Sequence, residues 1–252
     1  MEAAIEVTHS GPVAQVRLAR GKVNAIDAEL AEELVAVLGT LGPDDAVGAV
    51  VLSGAGSAFC AGVDLRRVVE EDDAYAVRLV GALRDMFEGL FSFPKPTVAA
   101  VHGAAVAGGC ILACACDRRL LGAGARIGAT ELAVGVAFPV SALEVLRHAC
   151  GARTEDVVTG ARLLGADEAL AAGLVHEVLD PDALSGRALA VAGELAAIAP
   201  PAFRLAKEQL RRPALERMGR DRAAVDDEAA RVWASAATRR RLREQLERLG
   251  AR

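Results

Sequence analysis

Aromatic side chains are scarce in this chain of 252 residues, which has one Trp, one Tyr and six Phe. Hydrophobic residues nevertheless make up 53% of the sequence, so the interior must be built mainly from Ala, Val and Leu. All-β sandwiches draw more heavily on aromatic and β-branched side chains. The composition therefore favours an α/β or mainly helical protein. A chain of this length can bury a sizeable core as one large domain.

The sequence also lacks a long uninterrupted apolar run. Its longest candidate, residues 98–116, is broken by His102 and three glycines, whereas a bilayer span needs about 20 predominantly apolar residues. At the start of the chain, Glu2 and Glu6 stand where a signal peptide needs positive charge. These features predict a cytoplasmic protein that does not associate with membranes.

Cysteine and histidine show no pattern that indicates a metal site. Cys110, Cys114 and Cys116 lack the familiar zinc spacings and have no His close by. Their apolar neighbours are typical of reduced thiols that pack as small hydrophobic groups. The four His are scattered without a Ser-His-Asp or Cys-His arrangement. We therefore predict structural roles for them and no bound metal.

Charge is distributed unevenly. The net charge of −5 argues against nucleic-acid binding, yet residues 203–252 carry 14 Lys or Arg against eight Asp or Glu. A solvated helix face is the simpler interpretation of this basic segment. The alternative is a surface that faces phosphate groups or an acidic neighbouring subunit.

Strands and helices alternate along the first two thirds of the chain. Alternating polarity or continuous apolar runs predict strands at residues 13–19, 47–52, 97–101, 118–121 and 174–178. Helical spacing predicts one helix that follows Asp27 as its N-cap and ends near residue 41, and another over residues 73–93. Such alternation is typical of a layered α/β domain.

The last third reads as almost wholly helical. Helices are predicted over residues 183–199, 201–210 and 214–249, with a break between residues 210 and 214. Because helical tails often form subunit contacts, this region is predicted to support an oligomer.

Two loops combine small residues in one arrangement. The first loop, residues 59–65, follows the strand at 47–52, and the second loop, residues 105–109, follows the strand at 97–101 and precedes a helix. Small residues let a substrate approach the backbone, and the start of a helix leaves N–H groups without partners. Two such donors that converge on one oxygen would form an oxyanion hole, although glycines in α/β proteins also serve ordinary turns.

Several segments together resemble the crotonase superfamily, the enoyl-CoA hydratase/isomerase proteins. They read SAFCAGVDL at residues 57–65, KPTVAAVHG at 95–103, AGGC at 107–110 and AAGLV at 171–175, with KVNA at 22–25 upstream. The resemblance covers residues 5–200 and implies an α/β fold, a spiral of ββα units with a helical C-terminal region. It further implies an acyl-CoA-binding core over residues 1–200, an oligomer-forming region over 201–252, and a homotrimer or a dimer of trimers.

The same resemblance implies a role in fatty acid metabolism with an acyl-CoA as the small-molecule partner. Coenzyme A would enter as part of the substrate, with no permanently bound cofactor. Carried over to this sequence, the oxyanion donors are the backbone N–H groups of Val63 and Gly108. The positions that match the coenzyme A site are Asn24, Ala25, Ala61, Asp64 and Leu65.

One carboxylate stands where hydratases of the family have two. Three residues past Gly108 the chain has Ile111, while the second acidic position is filled by Glu131. This pattern resembles the Δ3,Δ2-enoyl-CoA isomerase branch, so Glu131 is the expected catalytic acid and base. Ile111 and Phe138 are expected in the acyl pocket. An apolar setting would raise the pKa of Glu131.

Three functions remain open from the sequence. The first is an isomerase that moves a double bond from 3-enoyl-CoA to 2-enoyl-CoA with Glu131 as the proton shuttle. The second is an enoyl-CoA hydratase that uses Glu131 alone, and the third is a non-catalytic acyl-CoA-binding protein. Outside this site, Asp117 is interpreted as a structural acid that pairs with a neighbouring Arg.

Overall fold

The computed structural model describes residues 4–250, and within them the chain folds around two parallel-rich sheets. The larger sheet has the strand order β1-β2-β3-β4-β6-β8, and the smaller pairs β5 with β7. Their bounds are β1 (Ile5–Ser10), β2 (Val13–Leu18), β3 (Ala49–Gly54), β4 (Thr97–Val101), β5 (Ala104–Val106), β6 (Arg118–Gly122), β7 (Arg126–Gly128) and β8 (Glu177–Leu179).

Helices connect and cover these strands. Their bounds are α1 (Ala28–Leu41), α2 (Leu65–Glu70), α3 (Asp73–Phe91), α4 (Gly108–Ala115), α5 (Glu131–Val134), α6 (Val140–Cys150), α7 (Thr154–Gly160), α8 (Ala166–Ala171), α9 (Pro181–Ala196), α10 (Pro200–Ala234) and α11 (Ala236–Gly250), with a 3₁₀ turn at Gly151–Arg153. The predicted α/β class and the crotonase-like spiral are confirmed: each return of the chain to the larger sheet adds a strand beside the previous one, while β5 and β7 form the second sheet.

The burial of the strands accounts for the apolar patterns that predicted them. In β2 buried and exposed positions alternate towards its C-terminal end, whereas all five residues of β4 are buried. Every strand pair of the larger sheet except β1 with β2 is parallel, and parallel sheets are covered on both faces. The predicted strand at 97–101 is therefore confirmed to the residue.

The start of α1 is also as predicted. The Asp27 carboxylate accepts a hydrogen bond from the Leu30 N–H at 2.8 Å, which satisfies one of the donors left free at a helix start. The Asp27 side chain pairs as well with Arg20 and Arg67. This cap defines the residue at which α1 begins.

The predicted helix break between residues 210 and 214 is wrong. Helix α10 continues through Pro213, and the chain instead breaks at Ser235, before α11. Proline removes one backbone donor from a helix, but buried side chains hold the helix on either side of it: Arg211 before it and Ala214 and Met218 after it. The predicted strand at 174–178 is likewise shifted, since β8 spans Glu177–Leu179.

Asp117 is a structural acid, but its partners are distant in sequence. Its carboxylate accepts hydrogen bonds at 2.7 Å from both Lys207 Nζ and Arg211 Nη2 of α10. On the strand side, the Thr97 N–H and hydroxyl donate to it at 2.8 and 2.9 Å. The prediction of a pair with an adjacent Arg is therefore corrected, because α10 brings these cations to the start of β4.

The division of the chain into a core over residues 1–200 and a C-terminal region over residues 201–252 stays a prediction. Residues 1–3 and 251–252 lie outside the described residues. Helix α10, which begins at Pro200, packs against α3 and α6. Over residues 4–250, no single helix has the length and apolar character of a membrane span; only the bent pair α9 and α10, at 103°, passes such a test together.

Candidate active site

Backbone hydrogen bonds hold the two glycine-containing loops side by side. Cys60 of the first loop donates its N–H to Ala104 O at 3.1 Å and accepts from the Val106 N–H at 2.9 Å. Strand β5 in turn pairs with β7, so that three stretches of chain lie in parallel. The second loop therefore has a fixed position between the first loop and the segment that leads to Glu131.

The turn into α4 is conformationally strained. Ala107 has φ 50° and ψ −118°, a combination that glycine adopts far more readily than alanine. Its N–H donates to Gly128 O at 2.8 Å, at the end of β7. This bond holds the unusual backbone in place and directs the first N–H groups of α4 away from the helix body.

The two predicted oxyanion donors lie close together, and neither has a hydrogen-bond acceptor among residues 4–250. Val63 pairs with Ile26 in a parallel bridge that uses Gly62 O and the Asp64 N–H, which leaves the Val63 N–H free. Gly108 is the first residue of α4, and a Cβ added to it would lie 3.9 Å from Gly62 Cα. Two unpaired donors at adjoining loops are the arrangement that an oxyanion requires.

Glu131 begins α5 and is nearly inaccessible to solvent, with 6% of its surface exposed. Its Oε2 atom is buried and has no hydrogen-bond partner in the described part of the chain. Burial raises the pKa of Glu131 to about 8, against a small opposing effect of its own backbone N–H. Buried carboxyl groups without partners are costly, and a pKa near neutrality suits a group that must both take and return a proton.

One cavity of about 680 Å³ joins these groups. Val63, Gly108 and Glu131 all line it, as do the predicted acyl-pocket residues Ile111 and Phe138. Its other walls are largely apolar side chains, a typical composition for a small-molecule site. Glu131 is the only carboxylate along the cavity within residues 4–250.

The C-terminal helices supply a wall that the sequence did not predict. Trp233 of α10 and Gln245 and Leu249 of α11 line the same cavity. They are more than a hundred residues from Val63 and Gly108 along the chain, and no local pattern relates them to the glycine loops. Only the return of α10 and α11 across α3, α5 and α2 brings them there.

The five predicted coenzyme A positions fall into two groups. Ala61 and Leu65 line the cavity. Asp64, however, is the N-cap of α2, and Asn24 is fully buried, where its amide donates to Ala55 O and Ala58 O at 2.8 and 2.9 Å. The Asn24 side chain therefore braces the chain just before the first loop and is not available to a ligand, while Ala25 is partly exposed beside it.

Comparisons with known proteins agree with this geometry. A family model described as enoyl-CoA hydratase/isomerase matches residues 8–249. A putative enoyl-CoA hydratase of Thermus thermophilus is 40% identical over 190 residues, 74% of this chain and 75% of the relative. The short-chain-enoyl-CoA hydratase of Clostridium acetobutylicum is 34% identical over 206 residues, 80% and 78% of the two chains.

Among solved structures, that of human mitochondrial Δ3-Δ2-enoyl-CoA isomerase matches with a TM-score of 0.94 and 26% identity over 99% of each chain. Proteins named as hydratases and one named as an isomerase are thus similar to this chain over most of its length.

Proposed function

The chain belongs to the enoyl-CoA hydratase/isomerase family, and from that membership we propose that it moves a carbon–carbon double bond in acyl-CoA thioesters, from 3-enoyl-CoA to 2-enoyl-CoA. The observation that carries this proposal is the single carboxylate, Glu131, in a cavity whose other described walls offer no second acid. Coenzyme A is part of the substrate here, and no resident cofactor is invoked.

The proposed reaction needs a base, an acid and a site for negative charge. The Glu131 carboxylate takes a proton from C2, and the electrons move into a dienolate whose charge rests on the thioester oxygen. The N–H groups of Val63 and Gly108 donate to that oxygen more strongly than to the neutral carbonyl, which lowers the barrier. Protonated Glu131 then returns the proton to C4, and the double bond lies between C2 and C3.

Ile111 supports isomerisation over hydration. Hydration needs a water that is held, deprotonated and directed at C3 while C2 receives a proton, a division of work that suits two acids. Ile111 lies one helical turn after Gly108, is 2% exposed and lines the cavity. An apolar side chain at this position cannot hold the water and helps to exclude it.

Hydratase activity is the second candidate because the relatives from Thermus thermophilus and Clostridium acetobutylicum carry hydratase names. Two assays on the same purified protein separate the candidates: conversion of a 3-enoyl-CoA to the 2-enoyl-CoA, and conversion of a 2-enoyl-CoA to the 3-hydroxyacyl-CoA. We expect the first to exceed the second in kcat/KM. Faster hydration would reject the isomerase proposal, and acyl-CoA binding without turnover in either assay would indicate the non-catalytic binder.

Ile111→Glu should introduce or increase hydratase turnover, by about tenfold or more, since one general acid or base commonly contributes about 10²–10⁴-fold. The new carboxyl group would share an apolar cavity with Glu131, so a lower Tm is expected as well. Ile111→Gln is the matched control, because it has similar length and polarity but cannot transfer a proton. Equal hydration rates in the two variants would mean that the acid at this position is not what limits hydration.

The proposal extends to a cytoplasmic homotrimer or dimer of trimers that acts in fatty acid metabolism. Exposed apolar side chains on the early turns of α10, Leu205 and Leu210 at 53% and 71% exposure, support subunit contact through this helix. A monomer mass in light scattering at micromolar concentration would reject the assembly.

A further inference from the structure

Three side chains of the C-terminal region hold the segment that follows the catalytic helix α5. This segment, residues 135–140, is called the pocket segment below. Trp233 Nε1 donates to Ala137 O at 2.7 Å, Asp226 Oδ1 accepts from the Val140 N–H at 2.9 Å, and Thr238 Oγ1 donates to Gly135 O at 3.4 Å. The pocket segment contains Phe138, so these bonds fix one apolar wall of the cavity.

Trp233 differs from the other two anchors because it also lines the cavity. Its side chain is 2% exposed, and its one polar group, the indole N–H, is already bonded to Ala137 O. An indole with a satisfied N–H presents only carbon to the cavity. The surface that Trp233 offers to a ligand is therefore suited to an alkyl chain and offers no hydrogen bond.

The proposed reaction determines which part of the substrate can reach this surface. The reacting carbons C1 to C4 must lie between the oxyanion donors and Glu131. Any carbon beyond C4 must occupy the remaining cavity, whose apolar walls include Ile111, Phe138 and Trp233. Trp233 is fixed by its packing and by its bond to Ala137 O, so a chain that extends to it meets a rigid apolar wall.

We propose that Trp233 is the specificity-determining residue for the acyl group: it contacts carbons beyond C4 and makes the enzyme prefer acyl chains longer than four carbons. This inference rests on the proposed function for the placement of C1 to C4. It goes beyond that function because it assigns a substrate class and a residue that selects it.

The wild-type protein contains its own reporter, since Trp233 is the only tryptophan in the chain. Titration with saturated acyl-CoAs requires no turnover, so it tests the inference apart from the proposed reaction. Octanoyl-CoA should change the intensity or the wavelength of Trp233 fluorescence, and the change should saturate as the ligand concentration rises. Butyryl-CoA and free coenzyme A should change it by less than a third as much. Equal changes with all three ligands, or none with octanoyl-CoA despite binding by calorimetry, would overturn the proposal.

Steady-state kinetics of two variants test whether Trp233 selects substrates by acyl-chain length. Trp233→Ala should raise KM for an eight-carbon 3-enoyl-CoA about tenfold or more with a smaller change in kcat, because the ring contacts the chain in the ground and transition states alike. For a substrate whose chain ends near C4, KM should stay within threefold of wild type. Trp233→Phe keeps an aromatic ring and should raise KM for the eight-carbon substrate less than Trp233→Ala does.

An equal loss for short and long substrates in both variants would mean that Trp233 supports the site as a whole and does not select chain length. If neither variant folds, the wild-type titration decides the question. If the titration succeeds but no substrate is turned over, the proposed reaction fails while the length-sensing role of Trp233 stands.

Discussion

Glu131→Gln should lower kcat for the double-bond shift by about 10²–10⁴-fold, the usual contribution of a general acid or base. Glutamine has the shape of glutamic acid and can donate and accept hydrogen bonds, but it cannot carry the proton from C2 to C4. The oxyanion donors are backbone groups that the substitution leaves in place, so acyl-CoA binding should change little. Stopped assays with a 3-enoyl-CoA, together with calorimetric titration of a saturated acyl-CoA, measure the two effects separately.

The raised pKa of Glu131 makes the pH dependence of activity and stability a second test of its role. The base must be ionised to take the C2 proton, so wild-type kcat/KM should rise with pH and level off above about 8. The folded pKa lies above the unfolded reference of 4.5, so the folded protein holds a proton that the unfolded chain releases. This group's contribution to the free energy of unfolding therefore falls as pH rises between these two values, by at most about 1.4 kcal/mol per pH unit.

Glu131→Gln removes this titration, so the stability of wild type relative to the variant should decline over the same pH window. Glu216→Gln is the control, because Glu216 is an exposed acid on α10 and does not line the cavity. It should match wild type in activity and in pH dependence. Turnover of Glu131→Gln within threefold of wild type would place the proton shuttle elsewhere.

Gly109→Ala should lower both stability and activity strongly. A Cβ at Gly109 would lie 2.3 Å from Cys60 O and 2.8 Å from Cys60 Cβ, so α4 and the first loop would have to move apart. Overpacking of this kind costs about 3 kcal/mol, or a fall in Tm of roughly 6–12 °C for a domain of this size. Because Val63 and Gly108 sit on the two parts that separate, kcat should fall by about 10²–10³, the typical effect of losing one oxyanion donor.

Gly89→Ala provides the matched control. Gly89 lies inside α3, and a Cβ there would meet nothing within 4 Å. Alanine is the better helix former, so this variant should gain up to about 1 kcal/mol in unfolding free energy and keep its turnover. Thermal unfolding and the isomerase assay on both variants make the comparison. Wild-type values for Gly109→Ala would mean that the contact between α4 and Cys60 is not needed to align the two donors.

Local signals were enough to predict much of the fold and the centre of the site. Strand β4 follows from a buried apolar run and α1 from the Asp27 cap, because both depend on neighbours in sequence. The resemblance to the crotonase superfamily predicts Glu131 and Gly108 as site residues, and both line one cavity. These assignments needed no knowledge of distant contacts.

Features that depend on distant contacts were missed or misjudged. Pro213 carries a local signal for a helix end, but buried packing around it keeps α10 continuous. Trp233 has no pattern in its own segment that relates it to Ala137, nearly a hundred residues earlier. Asn24 matched a ligand-binding position, yet its amide donates to the carbonyl groups of Ala55 and Ala58, just before the first loop. Each of these outcomes is decided by tertiary contact.

The return of α10 and α11 to the cavity has a consequence for biosynthesis. Chains leave the ribosome N-terminus first, and the parts that carry Val63, Gly108 and Glu131 emerge well before Trp233, Gln245 and Leu249. Until the last helices arrive, the nascent protein lacks this wall, and the apolar side chains of the cavity face solvent. The growing chain would therefore be most vulnerable to aggregation in the interval between synthesis of α6 and docking of α11, and chaperone dependence should concentrate there.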